Sequence, residues 1–279
     1  MPIRLIAIDL DGTLLTSQGE LSPRNREALR AASGRGVQVV IITGRRYHSA
    51  LPIVCALHPE TIVISSNGAR IASASGEVYY RNFLPRSVAK QVIEAAPAFR
   101  GYAVAIFDMP GQGQVMMQEG AAPDGPAGWY LRNSHHCLAR TPDLPNAILS
   151  DPVEVMFGGP PGTIEPVEAA LRASPAAASC HLAWTKYLQR NLSLLDVLNA
   201  GCCKGSTLAH WARRCGVQPE EVLAIGDNLN DLEMLRFAGQ PVLMANHNYE
   251  DVPVEWPVTL SNDEDGVAEA IRRYVLSEM

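Results

Sequence analysis

The sequence predicts an α/β fold, a doubly wound parallel sheet interrupted by an inserted α+β segment. Three observations carry that expectation. Short β-branched apolar runs without helical spacing recur at residues 5–8, 37–42, 61–64 and 221–225, the pattern of strands buried on both faces. The first two runs are separated by a stretch with helix start and stop signals. Between about residues 85 and 190 the texture changes, with residues 108–128 rich in Gly, Pro and Ala.

The first run, Leu5-Ile6-Ala7-Ile8, ends in Asp9, followed by Asp11, Gly12 and Thr13. In open α/β sheets ligands bind beyond the carboxyl ends of the strands, so carboxylates at i and i+2 face a site there. Two unpaired carboxylates in one small volume repel, and one has its pKa raised. A hard cation relieves that repulsion, and Mg²⁺ is held by one or two carboxylates plus waters and substrate phosphates. A carboxylate also serves as a nucleophile on phosphorus, giving an aspartyl-phosphate. Taken alone, Asp-x-Asp is equally the solvated turn at the end of a strand.

Thr16-Ser17-Gln18-Gly19 is a polar turn. Ser22 as N-cap with Pro23 at N1 opens a helix that runs to about Ser33 and stops at Gly34-Arg35-Gly36. The second strand then completes a right-handed βαβ unit within about forty residues. Its crossover returns Thr43 and the Gly44 amide beside Asp9. A hydroxyl and a backbone N–H suit a phosphate oxygen, although a Thr-Gly turn without ligand has the same sequence. A third strand at residues 61–64 leads to Asn67-Gly68, a turn pair that brings an amide to the same edge. Residues 71–83 read as a hairpin with Gly76 at its tip.

In the middle of the chain, residues 85–96 and 164–173 have helical patterns. Residues 103–106, 114–117, 147–149 and 153–157 read as strands, and 181–184 with 187–189 as a terminal hairpin. Trp129, Tyr130, His135 and His136 are candidates to line a pocket, or are core and loop; His135-His136 lacks a third ligand at metal spacing. The core texture returns with a strand at 194–198. Lys204 stands at a helix start, where the dipole and its own charge favour an anion, or is a surface lysine near a cap. The strand at 221–225 ends in a second acidic cluster, Gly226-Asp227-Asn228-Leu229-Asn230-Asp231. Asp231 in a first helical turn is also favoured by the dipole alone, Asp227 at the strand tip less so. A short strand at 241–246 and a helix at 267–276 close the chain. The expected division is a core of residues 1–84 and 191–279 around an insert of 85–190.

With 279 residues, 47% hydrophobic and 19% charged, the chain has the composition of a globular protein of two domains. A net charge of −6 without a basic tract excludes nucleic acid as the expected partner. No secretory signal and no apolar run of membrane-spanning length is read, so no membrane partner is expected. Six cysteines are scattered without a C-x-x-C pair, and adjacent Cys202-Cys203 has poor disulfide geometry. Reduced thiols in a cytoplasmic protein, a monomer or homodimer, are the expectation.

Together, DLDGT at 9–13, ITGR at 42–45, the lysine of KGST at 204 and GDNLND at 226–231 resemble the haloacid dehalogenase superfamily of phosphatases, in its Cof-type branch with an inserted α/β cap. SNGA at 66–69 and SNDEDGVA at 261–268 add to the likeness. The resemblance covers both halves of the core in order, and the cap in length and placement. It implies a Rossmann-like core in which Asp9 is the nucleophile and Asp11 the general acid, then base. It implies Mg²⁺ on the Asp9 carboxylate, the Asp11 backbone carbonyl and Asp227, with Asp231 supporting through water. Thr43, Gly44 and Lys204 would bind the phosphoryl oxygens, and Asn230 would contact the same group. Arg45 packs or pairs at the cap hinge. Met244-Ala245-Asn246-His247 replaces the family's Gly-Asn-Ala run, with Asn246 as a support for the acidic loop. The implied function is a Mg²⁺-dependent phosphatase for a small phosphomonoester, a sugar phosphate or related metabolite, with the cap closing over the site. A phosphomutase and a non-catalytic sugar-phosphate sensor are the alternatives. The cap shows no second phosphate site, and a sensor has no need of Asp11.

Overall fold

The computed structural model describes residues 1–57, 60–121, 134–249 and 252–277 and divides into two units, Met1–Arg81 with Cys203–Met279, and Asn82–Cys202. In the first unit, β1 (Leu5–Ile8) is wholly shut off from solvent. Its side chains alternate between two apolar clusters. Ile6 and Ile8 meet Leu14, Leu29 and Val267 on one face, and Leu5 and Ala7 meet Leu208, Trp211 and Met234 on the other. A strand covered on both faces needs apolar residues at every position, which is why the run is continuous.

Helix α1 (Pro23–Gly34) starts as its sequence dictates: the Ser22 side chain accepts from the Asn25 amide at 3.1 Å, and Pro23 occupies the first turn. Asn25 is fully buried and spends its amide on two distant backbones. Nδ2 donates to Leu14 O and Oδ1 accepts from Ala268 N. The loop after β1 is thus fixed to the C-terminal helix. Next come β2 (Gln38–Ile42), α2 (Tyr47–Val54), β3 (Ile62–Ser65) and the hairpin β4 (Arg70–Ser73) and β5 (Val78–Arg81).

The second unit is built from α3 (Arg86–Ala95), β6 (Ala103–Ile106), β7 (Val115–Gln118), β8 (Leu138–Thr141), α4 (Leu144–Ala147), β9 (Glu154–Gly159), α5 (Pro161–Arg172), β10 (Cys180–Tyr187) and β11 (Leu192–Asn199). Its sheet has the order β10-β11-β9-β6-β7-β8, antiparallel except for β7 with β8. Leu84, Val92, Phe157, Ile164 and Leu195 belong to its core.

Several expected elements take another form here. The run at 194–198 belongs to this sheet, not to the core: β11 pairs with β9 and β10, so the division falls at 82 and 202 rather than at 85 and 190. The expected hairpin within 181–189 is one strand, β10, which turns at residues 188–190 through Asn191 in the left-handed region to pair with β11. Residues 147–149 are not a strand; Asp143 caps a short helix, α4, whose last residue is Ala147. Trp129 and Tyr130 lie outside the described residues, and His136 is exposed.

The chain rejoins the first unit at α6 (Lys204–Arg214), capped by Cys203, and continues through β12 (Val222–Gly226), α7 (Leu232–Phe237), β13 (Gln240–Leu243) and α8 (Gly266–Ile271). The seven-stranded order is β13-β12-β1-β2-β3-β4-β5, parallel from β13 to β3. β1 therefore lies between β2 and β12, and the carboxyl ends of these strands open at one edge. Among the described residues, no helix is long and apolar enough to cross a membrane.

Candidate active site

The two acidic loops converge at that edge. Asp9 follows β1, and Asp227 follows the adjacent β12. Asp9, Asp227 and Asp231 are all buried, and each offers a carboxylate oxygen within 4.8 Å of the others. Lys204, 1% exposed, sits among them, with Nζ donating to Asp9 Oδ1 at 2.7 Å and to Asp231 Oδ1 at 2.6 Å. The other oxygen of Asp231 accepts the backbone N–H groups of Asp227 and Asn228, both at 3.1 Å. Thr13 Oγ1 donates to Asp227 Oδ1 at 2.8 Å. Gly12 is required beside it. Its φ is +86°, and a Cβ there would fall on the Asp227 carboxylate.

Burial and neighbouring charge together set the proton affinities. Burial is the largest influence on Asp9 and pushes its carboxyl up to about 7; Lys204 opposes it, while Asp231 and Asp11 add to it. Burial likewise raises Asp227 well above the carboxylate range, reinforced by Asp9 and Asp231. Burial works against the charge on Lys204. Asp231 and Asp9 outweigh it and hold its ammonium above the ordinary lysine range. One ammonium among three carboxylates leaves the cluster short of positive charge, and hard oxygen donors this close suit a small divalent cation.

The neighbouring corner is uncharged. Thr43, 1% exposed, accepts the Arg45 N–H on its hydroxyl at 3.0 Å, and its carbonyl accepts the Asn67 N–H at 3.1 Å. Ser66 and Asn67 both lie in the left-handed region, with φ of 48° and 52°. That turn brings the Asn67 side chain against Gly44, where a Cβ would sit 3.2 Å from Asn67 Oδ1. Asn230 Nδ2 donates to Asn67 Oδ1 at 2.8 Å, joining this corner to the second acidic loop. Thr207 Oγ1 donates to Gly68 O at 2.9 Å and anchors α6 to the same turn.

Asp11 faces elsewhere. Arg45 grips its carboxylate bidentately, Nε to Oδ2 and Nη2 to Oδ1, both at 2.6 Å. The Asp11 side chain is thus held by Arg45 and is not among the three clustered acids. The structure brings together Asp9, Asp227, Asp231 and Lys204 in one group, and Thr43, Gly44, Asn67 and Asn230 in the other. Sequence reasoning did not anticipate the Thr13 hydroxyl on Asp227 or the Asn67–Asn230 pair. Their signals were the threonine two residues past Asp11 and two amides in the loops after two strands, neither of which names its partner. Asn246 does support the first acidic loop, with Nδ2 donating to Gly12 O at 2.8 Å.

The profile of haloacid dehalogenase-like hydrolases matches residues 6–271. An HMP-PP phosphatase of Serratia proteamaculans is 32% identical over 87% of this chain and 84% of that protein. The pyridoxal phosphate phosphatase YbhA of Escherichia coli is 30% identical over 88% of this chain and 89% of that protein. Among solved structures, a haloacid dehalogenase-like hydrolase from Bacteroides thetaiotaomicron is similar at a TM-score of 0.77 and 30% identity, over 97% of this chain and 99% of that one.

Proposed function

Because the chain belongs to the haloacid dehalogenase-like hydrolases and is a phosphatase, we propose that it hydrolyses a small phosphomonoester through a covalent phosphoryl-aspartate at Asp9. The observation that carries this reading is the convergence of Lys204, Asp227 and Asp231 on the Asp9 carboxylate.

In this reading Lys204 holds Asp9 Oδ1, and Oδ2 attacks phosphorus. The P–O bond to the leaving alcohol breaks, and its oxygen takes the proton carried by Asp11. Water then attacks the phosphoryl group while Asp11, now a carboxylate, accepts a proton from it. The P–O bond to Asp9 breaks, releasing inorganic phosphate and restoring both acids. Proton donation by Asp11 requires its carboxyl to part from Arg45 during the cycle. Thr43 Oγ1, the Gly44 N–H, Asn230 and Lys204 take the roles of phosphoryl-oxygen donors. Fixed donors aimed at developing charge supply most of the rate in such transfers.

The Asp9 and Asp227 carboxylates and the Asp11 carbonyl would hold Mg²⁺, with Asp231 behind them fixing the Asp227 loop. When bound, the ion neutralises phosphoryl oxygens as a Lewis acid. We assign substrate choice to the second unit, acting as a cap, since the first unit's groups address only the phosphoryl end. Sugar phosphates and related small metabolites are the expected class. The relatives named above act on HMP-PP and pyridoxal phosphate, so a screen should include phosphorylated heteroaromatics. The free thiols of Cys55, Cys180, Cys203 and Cys215 fit a reducing, cytoplasmic setting.

Release of aryl alcohol from a generic aryl phosphate, with and without Mg²⁺, tests the reading. Turnover that depends on the cation is expected. Phosphate-ester binding without Mg²⁺-dependent release would instead indicate a sensor.

A further inference from the structure

We infer that the segment at residues 244–249, fastened chiefly by Tyr249, is a clasp that presets the spacing of the two acidic loops for a divalent cation. The inference rests on the Mg²⁺ reading above. Three successive carbonyls of the second acidic loop are each taken by this segment. Met244 N donates to Gly226 O at 3.1 Å, Asn248 N to Asp227 O at 3.2 Å, and Tyr249 Oη to Asn228 O at 2.7 Å. From the same segment, Asn246 reaches the first acidic loop at Gly12 O, and its Oδ1 accepts the Asn262 N–H at 3.0 Å. The clasp therefore touches both loops whose carboxylates repel each other.

Tyr249 is itself held in place. It is 8% exposed, its ring stacks on His247 at 5.3 Å, and its N–H donates to His247 Nδ1 at 3.2 Å. Its ring belongs to the apolar cluster with Leu208 and Met234. Phenylalanine would fill the same volume, so Tyr249→Phe deletes the bond to Asn228 and little else. Groups that orient metal-bearing loops govern metal affinity without touching the ion. A loop freed from its clasp must be ordered when the cation binds, and that cost appears as weaker binding rather than slower chemistry.

Calorimetric titration of metal-free protein with Mg²⁺ is the test, paired with the Mg²⁺ concentration for half-maximal turnover. Tyr249→Phe is expected to bind Mg²⁺ about tenfold more weakly and to need about tenfold more for activation. At saturating Mg²⁺, its kcat and its KM for the aryl phosphate should stay within about twofold of the native values. Tyr47→Phe removes another tyrosyl bond in the same unit, to Ser73 O at 2.6 Å, and is expected to leave Mg²⁺ affinity unchanged. Native affinity in Tyr249→Phe, or equal weakening in both variants, overturns the inference. Should Tyr249→Phe fail to fold, Asn246→Ala is expected to weaken Mg²⁺ binding about threefold, and unchanged binding there overturns it equally. Native protein that binds no Mg²⁺ overturns the cation reading itself.

Discussion

The acidic corner and the uncharged corner of the site are organised by different physics. In the first, three buried carboxylates crowd around one buried ammonium, and the arrangement is held by charge and by backbone N–H groups on Asp231. In the second, no ion pair joins Thr43, Gly44, Asn67 and Asn230 in these contacts. Their positions come from two consecutive left-handed residues and a glycine against which the Asn67 amide packs closely. Left-handed backbone costs about 1 kcal/mol or more at Ser66 and less at Asn67, since asparagine tolerates that conformation. One corner is thus prepared by unbalanced charge and the other by backbone geometry. Substitutions should separate them, charge changes altering cation binding and proton linkage, backbone changes altering phosphate binding.

The largest effect is expected at Asp9. Asp9→Asn keeps the shape of the acidic corner but removes the proposed nucleophile, so kcat should fall at least about a thousandfold. Circular dichroism should show the native fold. Retention of most activity would remove Asp9 from its assigned role.

A smaller effect concerns stability and pH, again confined to the acidic corner. Asp9 moves from an ordinary value of 3.8 to about 7 on folding, so the folded state holds the proton more tightly. The resulting stabilisation is full below about pH 4 and is lost as pH rises through about 7. Urea unfolding in the presence of a chelator should show native protein losing stability relative to Asp9→Asn across that interval, with Mg²⁺ opposing the loss. A constant difference between the two proteins would show that Asp9 carries no raised pKa.

The smallest effect tests the uncharged corner. Asn67→Gly relieves the left-handed backbone while deleting the partner of Asn230. Stability should stay within about 1 kcal/mol. Inhibition by inorganic phosphate should weaken about threefold to tenfold, as for loss of one hydrogen-bond partner. Mg²⁺ affinity should not move. A change in Mg²⁺ affinity alone would merge the two corners into one unit.

Much of this site was legible because its signals are local. A buried strand, a terminal acid and a glycine turn stand within a few residues at Asp9–Gly12, and again at Gly226–Asp231. The βαβ order then places Thr43 beside Asp9 with no knowledge of side-chain contacts. What could not be read depends on partners distant in sequence. The run at 194–198 is as apolar as a core strand, and only its pairing with β9 and β10 places it in the second unit. Asp143 and Pro145 were local signs of the short helix that replaces the strand expected at 147–149. The Arg45 grip on Asp11 and the Tyr249 bond to Asn228 join residues 34 and 21 positions apart, and nothing in either stretch names the other.

The account turns on a phosphoryl group passing through Asp9. The most direct measurement is mass spectrometry of peptides from Asp11→Asn protein, quenched in acid during turnover of an aryl phosphate with Mg²⁺. Loss of the base that activates water should let the intermediate accumulate, with one added phosphoryl group on the peptide containing Asp9 and none on the Asp9→Asn, Asp11→Asn double variant. Turnover in native protein with no phosphoryl group on that peptide, or with the group on another residue, would contradict the account.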